Sequence, residues 1–248
     1  VAGTAMIWVF EAFVIAHIVT GATGLVAFWV PVAGRKGGDT HRRFGRIFTF
    51  SMLATGAAAV GISIATLIAP LETHPHLPDA AFVRGIFGWM MLYLAVLTVN
   101  LAWYGWLCIT LKRDRAAMRT PVNLLLQGLL AALAINCVAQ GILIGEALMI
   151  GISGIGFATV ATNLFYLYRA RPHPLGWLKE HIKALVGAGI SVYTAFFAFG
   201  AVRLMPEIAL NPVLWSIPLI VGLSIIIYQW RAIARKGGGR ERKRPLTA

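Results

Sequence analysis

Seven apolar runs, each about as long as a bilayer is thick, divide this sequence. They cover 5–32, 44–69, 82–111, 122–144, 147–168, 181–204 and 213–233. A helix rises 1.5 Å per residue, so about 20 apolar residues cross the roughly 30 Å of hydrocarbon. No water is available there, so each segment must satisfy its own amides and carbonyls, and a single run does that only as a helix. The expected fold is therefore all-α: a polytopic integral membrane protein with seven transmembrane helices. They form one bundle over 1–234, followed by a basic tail over 235–248. Composition agrees, since 58% of the 248 residues are hydrophobic and 12% are charged, where a soluble domain carries about one quarter charged residues. The first run exceeds the apolar core of a signal peptide and has no basic segment before it, so it reads as an uncleaved span.

Charge sorts with the runs. Lys and Arg number 22 against 9 acidic residues, a net charge of +13. Five lie in 35–46, four in 112–119, four in 169–183 and seven from Arg231 onward, which leaves only Arg84 and Arg203 at the opposite ends. Cations gather on the cytoplasmic side of membrane helices, so the N-terminus is expected outside and the C-terminus in the cytoplasm. Charge placed at helix ends is a topology signature rather than a nucleic-acid surface, and nucleic acid is excluded as a partner. The expected partners are the bilayer, anionic lipid headgroups against the polybasic tail, and other membrane subunits. Trp8 and Trp29 are 21 residues apart, about 31 Å along a helix, and fit the two aromatic belts. Glu146 is expected at the N-terminus of the fifth helix, where the helix dipole favours a carboxylate. Cys108 and Cys137 fall inside apolar runs and read as small buried residues.

Polar groups at membrane depth need a partner or a purpose. His17 is central in the first run, and Gly21 and Gly24 follow on its face at i+4 and i+7. An imidazole beside a shelf without side chains suits a flat cofactor, haem b or a quinone, and equally suits helix packing. Glu11 falls on another face. His41, Arg42, Arg43 and Arg46 follow the first run on the basic side, and His181 opens the sixth run on the same side. Neutral imidazole ligates haem iron, and Arg forks bind carboxylate, phosphate or lipid headgroups. If helices 1, 2 and 6 meet, these residues line one cytoplasm-facing pocket. His74 and His76 sit in a Pro-rich outer loop with no clear third metal ligand, and His173 lies between two prolines. Asn100, Asn136, Gln140 and Asn163 suit hydrogen bonds between helices or the lining of a polar cavity.

No nucleophile elbow, zinc-protease motif or phosphate loop occurs, and the last run has no Lys for a retinal Schiff base. His17 with Gly21, the stretch His41, Arg42, Arg43, Phe44, Gly45, Arg46, Ile47, Phe48, and Glu180, His181 followed by Gly187 to Phe196 resemble landmarks of a bacterial multi-pass membrane-protein family without an established activity. The resemblance covers helices 1, 2 and 6. It implies that His17, His41 and His181 belong together in a protein of the bacterial inner membrane. The expected role is an accessory subunit of a membrane complex or a bundle binding a small ligand. The alternatives are a redox protein holding haem b or quinone through His17 or the His41/His181 pair, and a small-solute transporter.

Overall fold

Where each helix begins and ends follows from local chemistry. The computed structural model describes residues 2–197 and 212–241. Helix α1 is Ala2–Ala33 and α2 is Asp39–Ile68; α3 runs over Ala80–Thr110, α4 is Pro121–Ile144 and α5 is Ala147–Tyr168. Helix α6 is Gly176–Ala195 and α7 is Pro212–Glu241. Single turns at Pro70–Thr73 and Arg115–Met118 lie in the connections.

Helix α2 starts five residues before the apolar run does. Gly37 turns the chain with φ 76°, Gly38 caps the helix in an extended conformation, and Asp39 places a carboxylate in the first turn. The basic stretch is thus mostly helical, and only 34–38 link α1 to α2. The last carbonyls of α1 are satisfied from across this link: Lys36 Nζ donates to Pro31 O (2.8 Å) and to Val32 O, and His41 Nδ1 lies 3.2 Å from Pro31 O. Between α4 and α5, Gly145 adopts a left-handed cap with φ 75°. Glu146 is the α5 N-cap, and its side chain makes no capping hydrogen bond.

Among the described residues, six helical segments are long and apolar enough to cross a membrane: Met6–Ala33, Asp39–Ile68, Ala80–Thr110, Pro121–Ile144, Ala147–Tyr168 and Ser216–Arg235. The segment expected over 181–204 is the exception. Its helix opens early, at Gly176, so Lys179, Glu180 and Lys183 occupy its first two turns, and 198–204 lie outside the described residues. Arg203 and the tail beyond 241 lie outside them as well.

Helix α3 is the hub. Half (50%) of its most apolar stretch is buried, against 22% in α1. It packs on α2, α4 and α6, and Tyr93 ties it to α5 by donating to Ile152 O and accepting from Gly156 N, both at 2.9 Å. Gly56 lets α2 approach it, since a Cβ there would sit 2.5 Å from Val99 Cγ2 and 3.2 Å from Ala95 O. Helices α1 and α2 form one hairpin, α4 and α5 another, and α7 lies along α6. Large apolar side chains point outward all round, among them Trp8, Val26, Leu125, Leu143, Phe165 and Tyr228, each at least two-thirds exposed. A surface of that kind is at equilibrium in lipid rather than water.

Candidate functional site

The histidines share one geometry. His17 Nδ1 is 3.1 Å from Thr55 O, His41 Nδ1 is 3.2 Å from Pro31 O, and His181 Nδ1 is 3.1 Å from Gly105 O. A carbonyl only accepts, so each Nδ1 carries the proton and each Nε2 keeps its lone pair. Helix α6 packs on both α1 and α2, and His41 comes within electrostatic reach of His181. His17 stands apart from them: its partner Thr55 is 14 residues from His41 on α2, about 21 Å along the axis. The face of α1 that carries His17, Gly21 and Gly24 is filled by α2. A Cβ at Gly24 would lie 2.2 Å from Met52 Cε, and one at Gly21 would lie 3.6 Å from Thr55 Cγ2. A flat ring finds no room at Gly24. Arg42 pairs with Asp39 at 2.5 Å on the surface, and Arg43 and Arg46 are exposed. Glu11 is exposed on α1.

A second constellation joins α3, α4, α5 and α6 about one and a half turns inside the basic end. Glu180 Oε2 accepts from Lys183 Nζ at 2.5 Å and from Tyr104 OH at 3.3 Å. Lys183 Nζ also donates to Thr162 Oγ1 at 3.0 Å and lies 5.7 Å from the centre of the Tyr104 ring. Tyr104 faces Asn163, whose Nδ2 donates to Asn100 Oδ1 and Gln127 Oε1, both at 3.3 Å. Gln127 continues to Asn123, and Asn123 to Met118 O at 2.9 Å. Asn100, Asn123 and Asn163 are fully buried, and Gln127 nearly so.

Helical spacing builds this chain. Asn100 with Tyr104, Asn123 with Gln127, and Glu180 with Lys183 each share a face at i+4 or i+3. Two polar atoms in it have no partner among the described residues: Asn100 Nδ2, a donor, and Asn163 Oδ1, an acceptor. Of the amides singled out from the sequence, Asn100 and Asn163 are brought together, whereas Asn136 and Gln140 make no hydrogen bond with them. Asn136 Nδ2 is buried and unpaired elsewhere on α4. Tyr104, Asn123, Gln127, Glu180 and Lys183 were not singled out as a group. The signal available was the i+3 or i+4 pairing of polar residues at three of the runs, Asn100 with Tyr104, Asn123 with Gln127 and Glu180 with Lys183.

Two of the cations beside this network are structural. Arg115 Nη1 donates to Tyr166 O, Leu167 O and Arg169 O at 3.1, 3.4 and 2.6 Å, and Arg119 Nη2 donates to Leu167 O at 2.6 Å. Together they cap the C-terminus of α5, where the dipole favours positive charge.

At the other end of the bundle, His74 lies 4.5 Å from the Phe87 ring and 6.1 Å from His76, ring centre to ring centre. Burial first, and then the charge of His76, hold the His74 pKa below its ordinary value. Asp79 is taken up in capping, accepting from the Ala81 and Phe82 amides. Among the described residues no group of three or more His, Cys, Asp or Glu is arranged to hold a metal ion. Cys108 and Cys137 are buried free thiols, and His173 Nδ1 accepts from the Leu175 amide within its loop.

No family model, no curated protein and no solved structure matches this chain.

Proposed function

We propose that the chain is a seven-span protein of the bacterial inner membrane, N-terminus outside and C-terminus in the cytoplasm, which binds a small polar ligand in the network at its cytoplasmic end. The orientation rests on the Lys and Arg residues, of which all but Arg84 and Arg203 fall at one set of alternate ends. The binding role rests on one observation: Asn100 Nδ2 and Asn163 Oδ1, a donor and an acceptor, are buried without partners among the described residues, one helix away from the Glu180–Lys183 pair. Each unsatisfied buried group costs about 1–3 kcal/mol, and ionisable residues at membrane depth mark functional sites. A ligand with one acceptor and one donor completes both amides. Native mass spectrometry of gently extracted protein tests this. A retained small molecule is expected, lost in Asn163→Leu, and a wild-type mass equal to the bare chain rejects the reading.

A redox role is the second reading, favoured by the imidazoles of His41 and His181, each oriented by a carbonyl and left with a free Nε2. It calls for a Soret band in the purified protein that changes in His181→Ala. A spectrum without that band removes the haem version.

A further inference from the structure

Beyond the amide network lies a separate cavity of about 190 Å³ at the basic end, between the 111–114 turn, the end of α5 and the start of α6. It is lined by Arg113, Tyr166, Pro172, His173, Pro174 and Trp177. Its polar side chains, Arg113, Tyr166, His173 and Trp177, each have a hydrogen to donate. Tyr166 is 5% exposed, and its hydroxyl has no hydrogen-bond partner among the described residues, although its backbone carbonyl is taken by Arg115. The neighbouring cations Arg115 and Arg119 are spent on the α5 carbonyls, whereas the exposed guanidinium of Arg113 makes no ion pair among the described residues. His173 accepts the Leu175 amide on Nδ1 at 3.1 Å, which forces its proton onto Nε2 and turns that nitrogen into a donor.

The start of α6 adds a fourth contribution. Its N-cap is Leu175, which offers no side-chain acceptor. The amides of Gly176, Leu178 and Lys179 reach His173 O and Leu175 O, while Trp177 sits in the cavity wall. These amides are engaged by the backbone, so the helix contributes the field of its dipole rather than free N–H groups. The nearby carboxylates are engaged: Glu180 by Lys183 and Tyr104, and Asp114 by the Ala117 amide. Arg113, Tyr166 and His173 thus share a cavity whose lining residues include no carboxylate.

We propose that this cavity binds a phosphate group, with Tyr166 OH, Arg113 and His173 Nε2 around its oxygens and the rest of the ligand resting on Trp177 and the two prolines. The volume is that of about six waters, which suits a phosphate and its ester carbon better than a single small ion. The phosphate has two possible sources, a soluble monoester or the headgroup of a phosphatidic-acid-type lipid, because the cavity lies at the level where α5 leaves the apolar layer. This proposal does not rest on the amide network.

The test uses the full chain in nanodiscs of phosphatidylcholine at constant ionic strength, with tryptophan fluorescence as readout and Trp177→Phe to assign the signal. One arm titrates inorganic phosphate and glycerol 3-phosphate; the other replaces part of the lipid by phosphatidic acid. A saturable response is expected in at least one arm, and the arm identifies the source. Tyr166→Phe, which keeps the ring and its packing, should weaken it about tenfold, as expected for one lost hydrogen bond to an anion. Arg113→Gln, at an exposed side chain, should weaken it at least as much. No response in either arm overturns the proposal, and so do variants that bind as tightly as the wild type with unchanged melting temperatures.

Discussion

Lys183 and Glu180 keep only 18% and 14% of their side-chain surface exposed. Removing one member of such a pair strands the other charge, which costs about 3–5 kcal/mol in a buried setting. Lys183→Met should therefore lower the melting temperature in detergent, and adding Glu180→Gln should recover most of the loss. A single variant as stable as the wild type would show that the pair holds nothing together. The i, i+3 spacing of this pair was legible in the sequence. That Tyr104 and Thr162 close around it was not, because those contacts depend on how α3, α5 and α6 are rotated against one another. His74 carries a prediction of a different kind. Its folded pKa lies below the ordinary value of 6.5, so below that pH the unfolded loop binds more protons than the folded one. Stability is full above pH 6.5 and falls as the pH drops through the depressed folded value. Hydrogen exchange of 69–79 should accelerate on that descent, and His74→Phe should remove the acid-dependent part.

Among the elements, the α2–α3 contact is constrained at one glycine. At Gly56 the space for a methyl is filled by Val99 Cγ2 on one side and by the Ala95 carbonyl on the other. Gly56→Ala should push the helices apart at a cost of about 1–3 kcal/mol, as overpacking does, read as a lower melting temperature. Val99→Ala should restore part of it, since the backbone carbonyl at 3.2 Å remains. Small residues in apolar runs announced close packing, but not which neighbour fills the gap. The spacing of His17, Gly21 and Gly24 was plain, yet only the assembled pair shows Met52 and Thr55 filling that face. Helix ends were misplaced where polar residues extend the helix past its apolar run. Helix α2 begins at Asp39 and α6 at Gly176, because the backbone turns before them, closed by Gly38 N to Arg35 O and Gly176 N to His173 O, rather than hydropathy, set where each helix starts.

At the scale of the molecule, run length and charge made the helical, membrane-crossing character readable, and six segments meet the requirement on length and apolarity. The described part of the segment expected over 181–204 is a helix with charged opening turns, and 198–204 lie outside the described residues. A reporter fused after Ala248 should be active only in the cytoplasm. Periplasmic activity would invert the map and move the Tyr166 cavity to the outer face. The central place of α3 carries a consequence for biogenesis. Helices α1 and α2 leave the ribosome as neighbours, and so do α4 and α5, but α3 is made between the two hairpins. Its Tyr104 finds Glu180 only 76 positions later. The Asn100 amide waits for Asn163 on α5, and the Tyr104 hydroxyl waits longer still for the Glu180 carboxylate. The insertion machinery must shelter the third span, or release it and take it back, before the bundle closes around it.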